Sequence, residues 1–271
     1  MHPILFHLGP VPVNGYGFLI VVGMLAAATI ASLRARAKGI RPEWIWDVAM
    51  LALVSGAVGG RLGFVLLERP DLLSHPKEAI AIWHGGMVFY VGFLVATAAC
   101  LGYLHWRGVS FGAVGDLCAP VIPLGHALAR VGCFLAGCCY GKAVSWGVVF
   151  PVLEDGVPRH PTQLYEAAGC LALFAVFWAL RDRPRRYEGQ LLVGYVAAYA
   201  VMRFGLEFLR GDDRGVSPFL GLSPSQGVAL LALGASGLFH AFAPGRPIDG
   251  RGAKGEGGGA KGECNRVSIR L

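Results

Sequence analysis

Residues 15–33 read GYGFLIVVGMLAAATIASL, a run of 19 positions without a charged side chain. A transmembrane helix needs about 20 mostly apolar residues, so this run is long enough to cross a bilayer. The whole chain has the same character, because 55% of its 271 residues are hydrophobic and only 15% are charged. Soluble domains carry about 25% charged residues. The sequence therefore predicts an integral membrane protein.

Hydropathy predicts an all-α fold with seven transmembrane helices. The apolar runs fall at about 15–33, 45–67, 86–105, 112–134, 164–180, 189–209 and 222–243. The longest connection, roughly 135–163, is too short for a soluble domain, so we expect one membrane domain over residues 1–245. Residues 246–271 form a Gly-rich, basic tail that we expect to be disordered. The N-terminus lacks a basic n-region, so no cleavable signal peptide is expected.

The distribution of basic residues predicts the orientation in the membrane. The loops after the first, third and fifth runs and the tail carry 15 of the 24 Lys and Arg, and the opposite loops carry six. Because cytoplasmic loops are enriched in Lys and Arg, we expect an outside N-terminus and a cytoplasmic C-terminus. Orientation explains the net charge of +7 better than nucleic-acid binding does.

Three arginines lie inside apolar runs, namely Arg61, Arg130 and Arg203. Counted along their helices, all three fall in the outer half of the membrane. A charged side chain inside a membrane is costly and usually functional. Each arginine alone could extend to the headgroups or form a structural ion pair. Three at one depth favour a shared anionic ligand such as a lipid phosphate.

A polar stripe on the sixth run supports this hypothesis. Tyr199, Arg203 and Glu207 are spaced by four residues and share one helix face. An Arg203–Glu207 ion pair would neutralise both charges, and the planar guanidinium would still have donors for a phosphate.

Further polar candidates lie toward the same outer side of the membrane. Tyr16 and Tyr90 are near helix starts, and His160, Gln163 and Glu166 lie in or next to RHPTQLYEA at 159–167. The last three can titrate or form hydrogen bonds beside an arginine cluster, so they are candidate site residues.

Three cysteines, Cys133, Cys138 and Cys139, lie in RVGCFLAGCCYG at 130–141. The C-x4-CC spacing departs from the usual zinc pattern, and a fourth ligand would have to come from His126 or His160. It also lacks the C-x-x-C of redox pairs. We therefore expect no metal site and keep the three as a candidate thiol site, in which a disulfide could form in an oxidising compartment.

The ordered motifs of this chain resemble those of the prolipoprotein diacylglyceryl transferase family of bacterial inner-membrane enzymes. The motifs are HLGPVPVNGYGFLIVVG, GGRLGFVLLE, GGMVFYVGFL, RVGCFLAGCCYG, HPTQLYEA, YAVMRFGLEFLRGDD and SPSQG, and they cover nearly all of the chain before the tail. The resemblance implies that Arg130 and Arg203 hold the lipid phosphate. It also assigns functional positions to Tyr16, Tyr199, Glu207, Gly132 and Gly141.

The chain departs from this family where protons are handled. The family signature usually reads R-x-G-N-F-x-N-x-E-x-x-G, and its two Asn and its Glu are replaced here by Cys133, Ala136 and Cys138. The family histidine proposed as the base corresponds to Tyr90. Since a tyrosine has a pKa of about 10, its neutral form is a poor base at neutral pH. Proton transfer would then fall to His160, Glu166, Glu207, a tyrosine beside an arginine, or solvent.

The resemblance implies transfer of the diacylglyceryl group of phosphatidylglycerol to the lipobox cysteine of a prolipoprotein, releasing glycerol phosphate. It implies a multi-pass protein of the bacterial inner membrane with its site toward the periplasm, which contacts the signal-peptide region of its acceptor and needs no cofactor. Two alternatives remain open: a divergent relative with another acceptor or a thiol-dependent role, and a non-catalytic lipid-binding or transporter-like membrane protein.

Overall fold

The chain folds mainly into α-helices. The computed structural model describes residues 4–9, 11–81, 85–212 and 221–243. The nine helices found there are α1 (Gly15–Ala37), α2 (Glu43–Leu67), α3 (Pro76–Ala79), α4 (Phe89–Trp106), α5 (Phe111–Cys118), α6 (Ile122–Ala136), α7 (Thr162–Leu180), α8 (Gln190–Glu207) and α9 (Pro224–Phe242). The tail predicted at 246–271 lies outside the described residues.

Five of these helices, α1, α2, α4, α7 and α9, are long and apolar enough to cross a membrane. The run at 112–134 forms two helices, α5 and α6, which meet at a 56° bend and together could make a sixth span. Pro120 and Pro123 explain the break, because proline cannot continue the hydrogen-bond ladder of a helix. The described residues thus contain five or six candidate spans, against the seven that were predicted.

The remaining predicted span, 189–209, is the helix α8. It falls outside the set of apolar candidates because it carries the polar stripe of Tyr199, Arg203 and Glu207. The buried carboxylate of Asp116 on α5 fixes its start by accepting hydrogen bonds from the backbone amides of Gly189 at 2.9 Å and Leu191 at 2.8 Å. Negative charge at a helix N-terminus is favourable, so α5 positions the helix that carries much of the polar site.

Two short antiparallel hairpins accompany the helices. Strands β1 (Ile4–Leu8) and β2 (Val11–Asn14) precede α1, and β3 (Ala143–Val149) and β4 (Pro158–Arg159) lie between α6 and α7. Neither hairpin was predicted, because hydropathy identifies apolar helices but not strands in short polar connections. The second hairpin leads the chain directly into the His160 segment.

Helix packing brings the site-bearing helices together. Helix α6 packs against α1 on one side and α7 on the other, and α8 packs against α7 and α9. The α1–α6 contact is close at Gly23, where an added Cβ would lie 2.8 Å from the carbonyl oxygen of Gly125. Small residues permit this approach between membrane helices, where close packing substitutes for the hydrophobic effect.

Candidate functional site

A buried ionic cluster joins α6, α7 and α8. The Nη2 atom of Arg130 lies 3.0 Å from Oε1 of Glu166, and Tyr199 donates its hydroxyl hydrogen to the same oxygen at 2.7 Å. The Nε atom of Arg130 donates to Nε2 of His126 at 3.2 Å, and that imidazole nitrogen is 3.6 Å from Glu166 Oε1. The side chain of Glu166 is 1% exposed and that of Arg130 is 19% exposed. Glu166 is therefore the counter-ion of Arg130.

A second polar group joins α8, α9 and the start of α4. The Nη1 atom of Arg203 lies 2.6 Å from Oε2 of Glu207, which confirms the ion pair predicted from their spacing. The Nη2 atom of Arg203 donates to Oγ of Ser225 at 3.2 Å, and that oxygen is 3.3 Å from the hydroxyl of Tyr90. Arg203 also lies within electrostatic range of Glu166. Two of the three predicted arginines thus face one buried region.

Arg61 serves a different purpose. Its guanidinium donates to the backbone carbonyls of Ala79 at 2.9 Å, Glu78 at 2.6 Å and Gly86 at 3.2 Å, and also to that of Gly85. All three guanidinium nitrogens are therefore engaged with the connection between α2 and α4. The expectation that Arg61 shares a ligand with Arg130 and Arg203 gains no support, because its donors are used to hold this connection in place.

The loop after α6 and the start of α7 are tied together by hydrogen bonds. Gln163 Nε2 donates to the carbonyl oxygen of Cys138 at 2.5 Å, and Thr162 Oγ1 donates to that of Cys139 at 2.7 Å. His160 Nδ1 lies 3.2 Å from the hydroxyl of Tyr165. Gln163 is fully buried and holds the cysteine loop, so its contacts support a positioning role more than direct contact with a lipid.

The two predicted glycines are both close-packing positions. A Cβ on Gly132 would lie 3.0 Å from the Cα atom of Tyr16, so the glycine lets the C-terminal part of α6 pack against the first turn of α1. A Cβ on Gly141 would lie 2.5 Å from Cβ of His160 and 2.7 Å from the carbonyl oxygen of Leu209. Tyr16 itself is 38% exposed and lies within electrostatic range of Arg130.

The cysteines of the signature segment form one cluster. The sulfur atoms of Cys133, Cys138 and Cys139 all lie within 4.8 Å of one another, and no disulfide joins them among the described residues. Arg130 Nη1 is 4.0 Å from Cys139 Sγ. Hydrogen bonds from the other two thiols and the neighbouring Arg210 lower the pKa of Cys139 below its ordinary value. The cluster therefore borders the Arg130 site.

Sequence reasoning missed two members of the site. His126 was predicted only as a possible fourth zinc ligand, and Ser225, which lies in the SPSQG motif, was assigned no role. The spacing of His126 and Arg130, four residues apart on α6, was the available signal for the first. Ser225 had no such signal, because its neighbour Arg203 comes from another helix. Only the packing of α8 against α9 brings them together.

The chain matches one protein family along nearly its whole described length. The family model described as prolipoprotein diacylglyceryl transferase matches residues 3–241. A phosphatidylglycerol–prolipoprotein diacylglyceryl transferase of Aromatoleum aromaticum is 38% identical over 248 residues, covering 86% of this chain and 92% of that protein. Proteins of the same name from Cupriavidus necator and an Azoarcus species are 38% and 36% identical, and the aligned parts cover 81% and 88% of this chain and 82% and 94% of those proteins.

Proposed function

The chain belongs to the prolipoprotein diacylglyceryl transferase family, and from this we propose that it transfers the diacylglyceryl group of phosphatidylglycerol to a cysteine thiol of a prolipoprotein. The family match over residues 3–241 carries the proposal. In the structure, the proposal is supported by two arginines, Arg130 and Arg203, whose positive charges both act on the carboxylate of Glu166. The acceptor is the lipobox cysteine next to the signal peptide.

The reaction replaces a carbon–oxygen bond with a carbon–sulfur bond. The acceptor thiolate attacks the glyceryl carbon that carries the phosphate, a thioether forms, and glycerol phosphate leaves with the electron pair of the broken bond. Negative charge grows on the departing phosphate during this step. Preorganised cations stabilise such charge strongly in a site shielded from water, which is the role we assign to Arg130 and Arg203.

Each arginine has a partner that orients it without consuming all of its donors. Glu166 and His126 hold Arg130, and Glu207 and Ser225 hold Arg203. A guanidinium has five N–H donors in a planar fork, so an ion pair leaves donors for a phosphate oxygen. Glu207 is thereby a positioning residue, and Tyr199 plays the same part by fixing the Glu166 carboxylate.

We propose His126 as the proton acceptor for the attacking thiol. It lies beside Arg130 and its side chain is 24% exposed. In the neutral tautomer its Nε2 lone pair accepts a hydrogen bond from Arg130, and this lone pair becomes free for a proton when Arg130 turns to the lipid phosphate. Tyr90, the position of the family histidine, instead contacts Ser225 and shapes the Arg203 side of the site. Glu166 pairs with Arg130, accepts from Tyr199 and is only 1% exposed, so an acceptor thiol reaches it less easily than it reaches His126. His160 remains a further candidate for proton handling through Tyr165.

We place the site toward the periplasmic face of the bacterial inner membrane, with α8 as the seventh span. The charge asymmetry of the loops supports an outside N-terminus and a cytoplasmic C-terminus. The polar face of α8 points at Glu166 on α7 and Ser225 on α9, so its ionisable residues are kept away from lipid. This orientation would expose the site to exported prolipoproteins.

The test is release of glycerol phosphate from phosphatidylglycerol by the purified full-length protein with a lipobox peptide. We expect release and peptide lipidation with wild type, and loss of at least about a hundredfold with Arg130→Ala or Arg203→Ala. Arg69→Ala is the matched control, because Arg69 is an exposed arginine paired with Asp71. Lipid binding without release would favour the non-catalytic alternative. Expression in cells depleted of their own transferase checks the acceptor: correctly inserted protein with no lipidated prolipoprotein would contradict the proposal.

A further inference from the structure

The three signature cysteines are closer together than their spacing in the sequence suggests. Cys133 comes from the last turn of α6, while Cys138 and Cys139 follow the helix end at Gly137, whose φ of 75° turns the chain back. Cys139 itself has a φ of 65°, a left-handed conformation that costs a non-glycine residue about 1–2 kcal/mol. The fold thus holds a strained backbone at the residue that completes the sulfur cluster.

The C-x4-CC spacing alone predicted no metal site, but the distances between the sulfur atoms suit a metal ion. A zinc–sulfur bond is about 2.3 Å long, so thiolates sharing a zinc ion lie about 4 Å apart. The three sulfurs here all lie within 4.8 Å of one another, and small side-chain rotations would close the difference. Hydrogen bonds from Gln163 and Thr162 to the carbonyls of Cys138 and Cys139 fix the loop backbone. The ligand set is therefore preorganised.

The surrounding charges suit a thiolate site. Three thiolates and one divalent cation carry a net charge of −1, which requires compensation in a partly buried place. Arg130 Nη1 lies 4.0 Å from Cys139 Sγ, and the guanidinium of Arg210 lies beside the same sulfur. Cys133 is buried and Cys138 is exposed, so the cluster is accessible from one side.

We propose that Cys133, Cys138 and Cys139 bind a thiophilic divalent cation such as Zn²⁺ and leave its fourth coordination position for the thiol of the acceptor cysteine. Three protein ligands with one open position are the arrangement of catalytic zinc sites. Among the described residues neither His126 nor His160 joins the sulfur group, so the fourth position is not supplied there. The role of the metal rests on the proposed function, whereas the metal site itself does not.

Metal coordination would activate the acceptor thiol in this chain, where Tyr90 replaces the family histidine. A thiol that binds a divalent metal loses its proton and remains as a thiolate. Here the acceptor sulfur would bond to the metal and its proton would pass through solvent to His126, which contacts Arg130 on the other side of the same guanidinium. No oxidant or reductant is needed, because the metal keeps its oxidation state. The metal would thereby supply the acceptor thiolate that attacks the lipid.

Cadmium titration of the full-length protein in detergent tests the metal site. All variants carry Cys264→Ala, so the tail thiol does not contribute. We expect one Cd²⁺ per chain with sulfur-to-cadmium ultraviolet absorption, and at least about tenfold weaker binding with Cys133→Ser, Cys138→Ser or Cys139→Ser. The control is Cys100→Ala combined with Cys170→Ala, two buried thiols outside the cluster. Equal binding by all variants, or no cadmium–thiolate absorption, would overturn the site.

The open position is tested with the Co²⁺-loaded protein and a peptide. A cysteine-containing lipobox peptide should change the visible absorption of bound cobalt, and the same peptide with serine should not. An unchanged spectrum with the cysteine peptide would overturn the role in acceptor binding. Neither measurement involves phosphatidylglycerol or turnover. Lipid transfer without metal binding would contradict this inference alone. Metal binding without lipid transfer would contradict only the proposed function.

Discussion

Arg203 on α8 donates a hydrogen bond from Nη2 to Oγ of Ser225 in the first turn of α9, at a distance of 3.2 Å. The opposite nitrogen, Nη1, pairs with Glu207 at 2.6 Å. The guanidinium is therefore fixed at two points on different helices. Its plane is set before any substrate binds, which is what an electrostatic site for a leaving phosphate requires.

Replacing Ser225 with alanine should impair transfer moderately by loosening Arg203. A hydrogen bond to a charged group contributes about 1.5–3 kcal/mol, so we expect kcat/KM to fall by about tenfold to a hundredfold. Steady-state kinetics with varied phosphatidylglycerol measure the change. Ser236→Ala is the matched control, since Ser236 is equally buried on α9. Equal losses in both variants would indicate general disturbance of the helix.

Replacing Tyr90 with phenylalanine separates shape from proton transfer. The hydroxyl of Tyr90 contacts Ser225 at a long 3.3 Å, so its loss should reduce kcat by less than about fivefold. Peptide lipidation at saturating substrate is the measurement. A loss of kcat above about a hundredfold would instead mark Tyr90 as the proton-handling group. In that case the KM for phosphatidylglycerol of Tyr90→Phe would differ from that of Arg203→Ala.

Replacing His126 with glutamine tests the proposed proton acceptor while keeping an acceptor for Arg130. General-base catalysis contributes about a hundredfold to ten-thousandfold, so kcat should fall by that range. Measured without added metal, the variant must then use thiolate formed in solution. Because a free thiol has a pKa of about 8.5, its residual rate should rise about tenfold per pH unit below that value.

The wild-type rate should depend less steeply on pH, because its base removes the proton within the site. Matched slopes in wild type and His126→Gln would contradict the assignment. Glu166→Gln provides a comparison, since it keeps an oxygen for Tyr199 but loses the ion pair with Arg130. It should raise KM for the lipid more than it changes the pH slope.

The sequence predicted the helical membrane fold and the Arg203–Glu207 ion pair of α8 for a clear physical reason. Apolar runs and the four-residue spacing of Tyr199, Arg203 and Glu207 are local patterns, and local patterns can be read without knowing the packing. The bend and the hairpins are not encoded by such local patterns: Pro120 and Pro123 interrupt the helix, but the direction of the chain there depends on the neighbouring helices. The contacts of Ser225 with Arg203 and of Arg130 with Glu166 join different helices, so no sequence spacing encodes them.

Arg61 shows what depth along a helix leaves open. Depth along a helix placed it with the other two arginines, yet depth does not tell which way a side chain points. The structure directs it to the carbonyls between α2 and α4. Arg61→Ala should therefore lower stability by about 3 kcal/mol or more, because several buried carbonyls lose a charged donor.

The measurement for Arg61→Ala is thermal unfolding in detergent, accompanied by KM for phosphatidylglycerol in the folded fraction. We expect a lower melting temperature with KM within about twofold of wild type. Arg61→Lys should recover only part of the stability, since an ammonium cannot match the planar fork that reaches these carbonyls. An unchanged melting temperature with a strongly raised KM would return Arg61 to the lipid site.

Gly141 gives a prediction about packing at the cysteine loop. A methyl group there would lie 2.5 Å from Cβ of His160 and 2.7 Å from the carbonyl oxygen of Leu209, so backbone must move to admit it. Overpacking of this kind costs about 1–3 kcal/mol. Gly141→Ala should therefore unfold earlier in thermal denaturation and bind cadmium more weakly, because its amide anchors the loop to the carbonyl of His160 at 2.8 Å.

The matched control for Gly141→Ala is Gly102→Ala in α4. Nothing lies within 4 Å of a Cβ built on Gly102, and alanine is the better helix former by about 1 kcal/mol. That variant should be as stable as wild type or more so, with unchanged metal binding. If Gly141→Ala behaved like the control, the loop would have to be loose enough to absorb a methyl group. A loose loop could not hold three sulfur atoms within 4.8 Å, so the same result would count against the preorganised cysteine cluster.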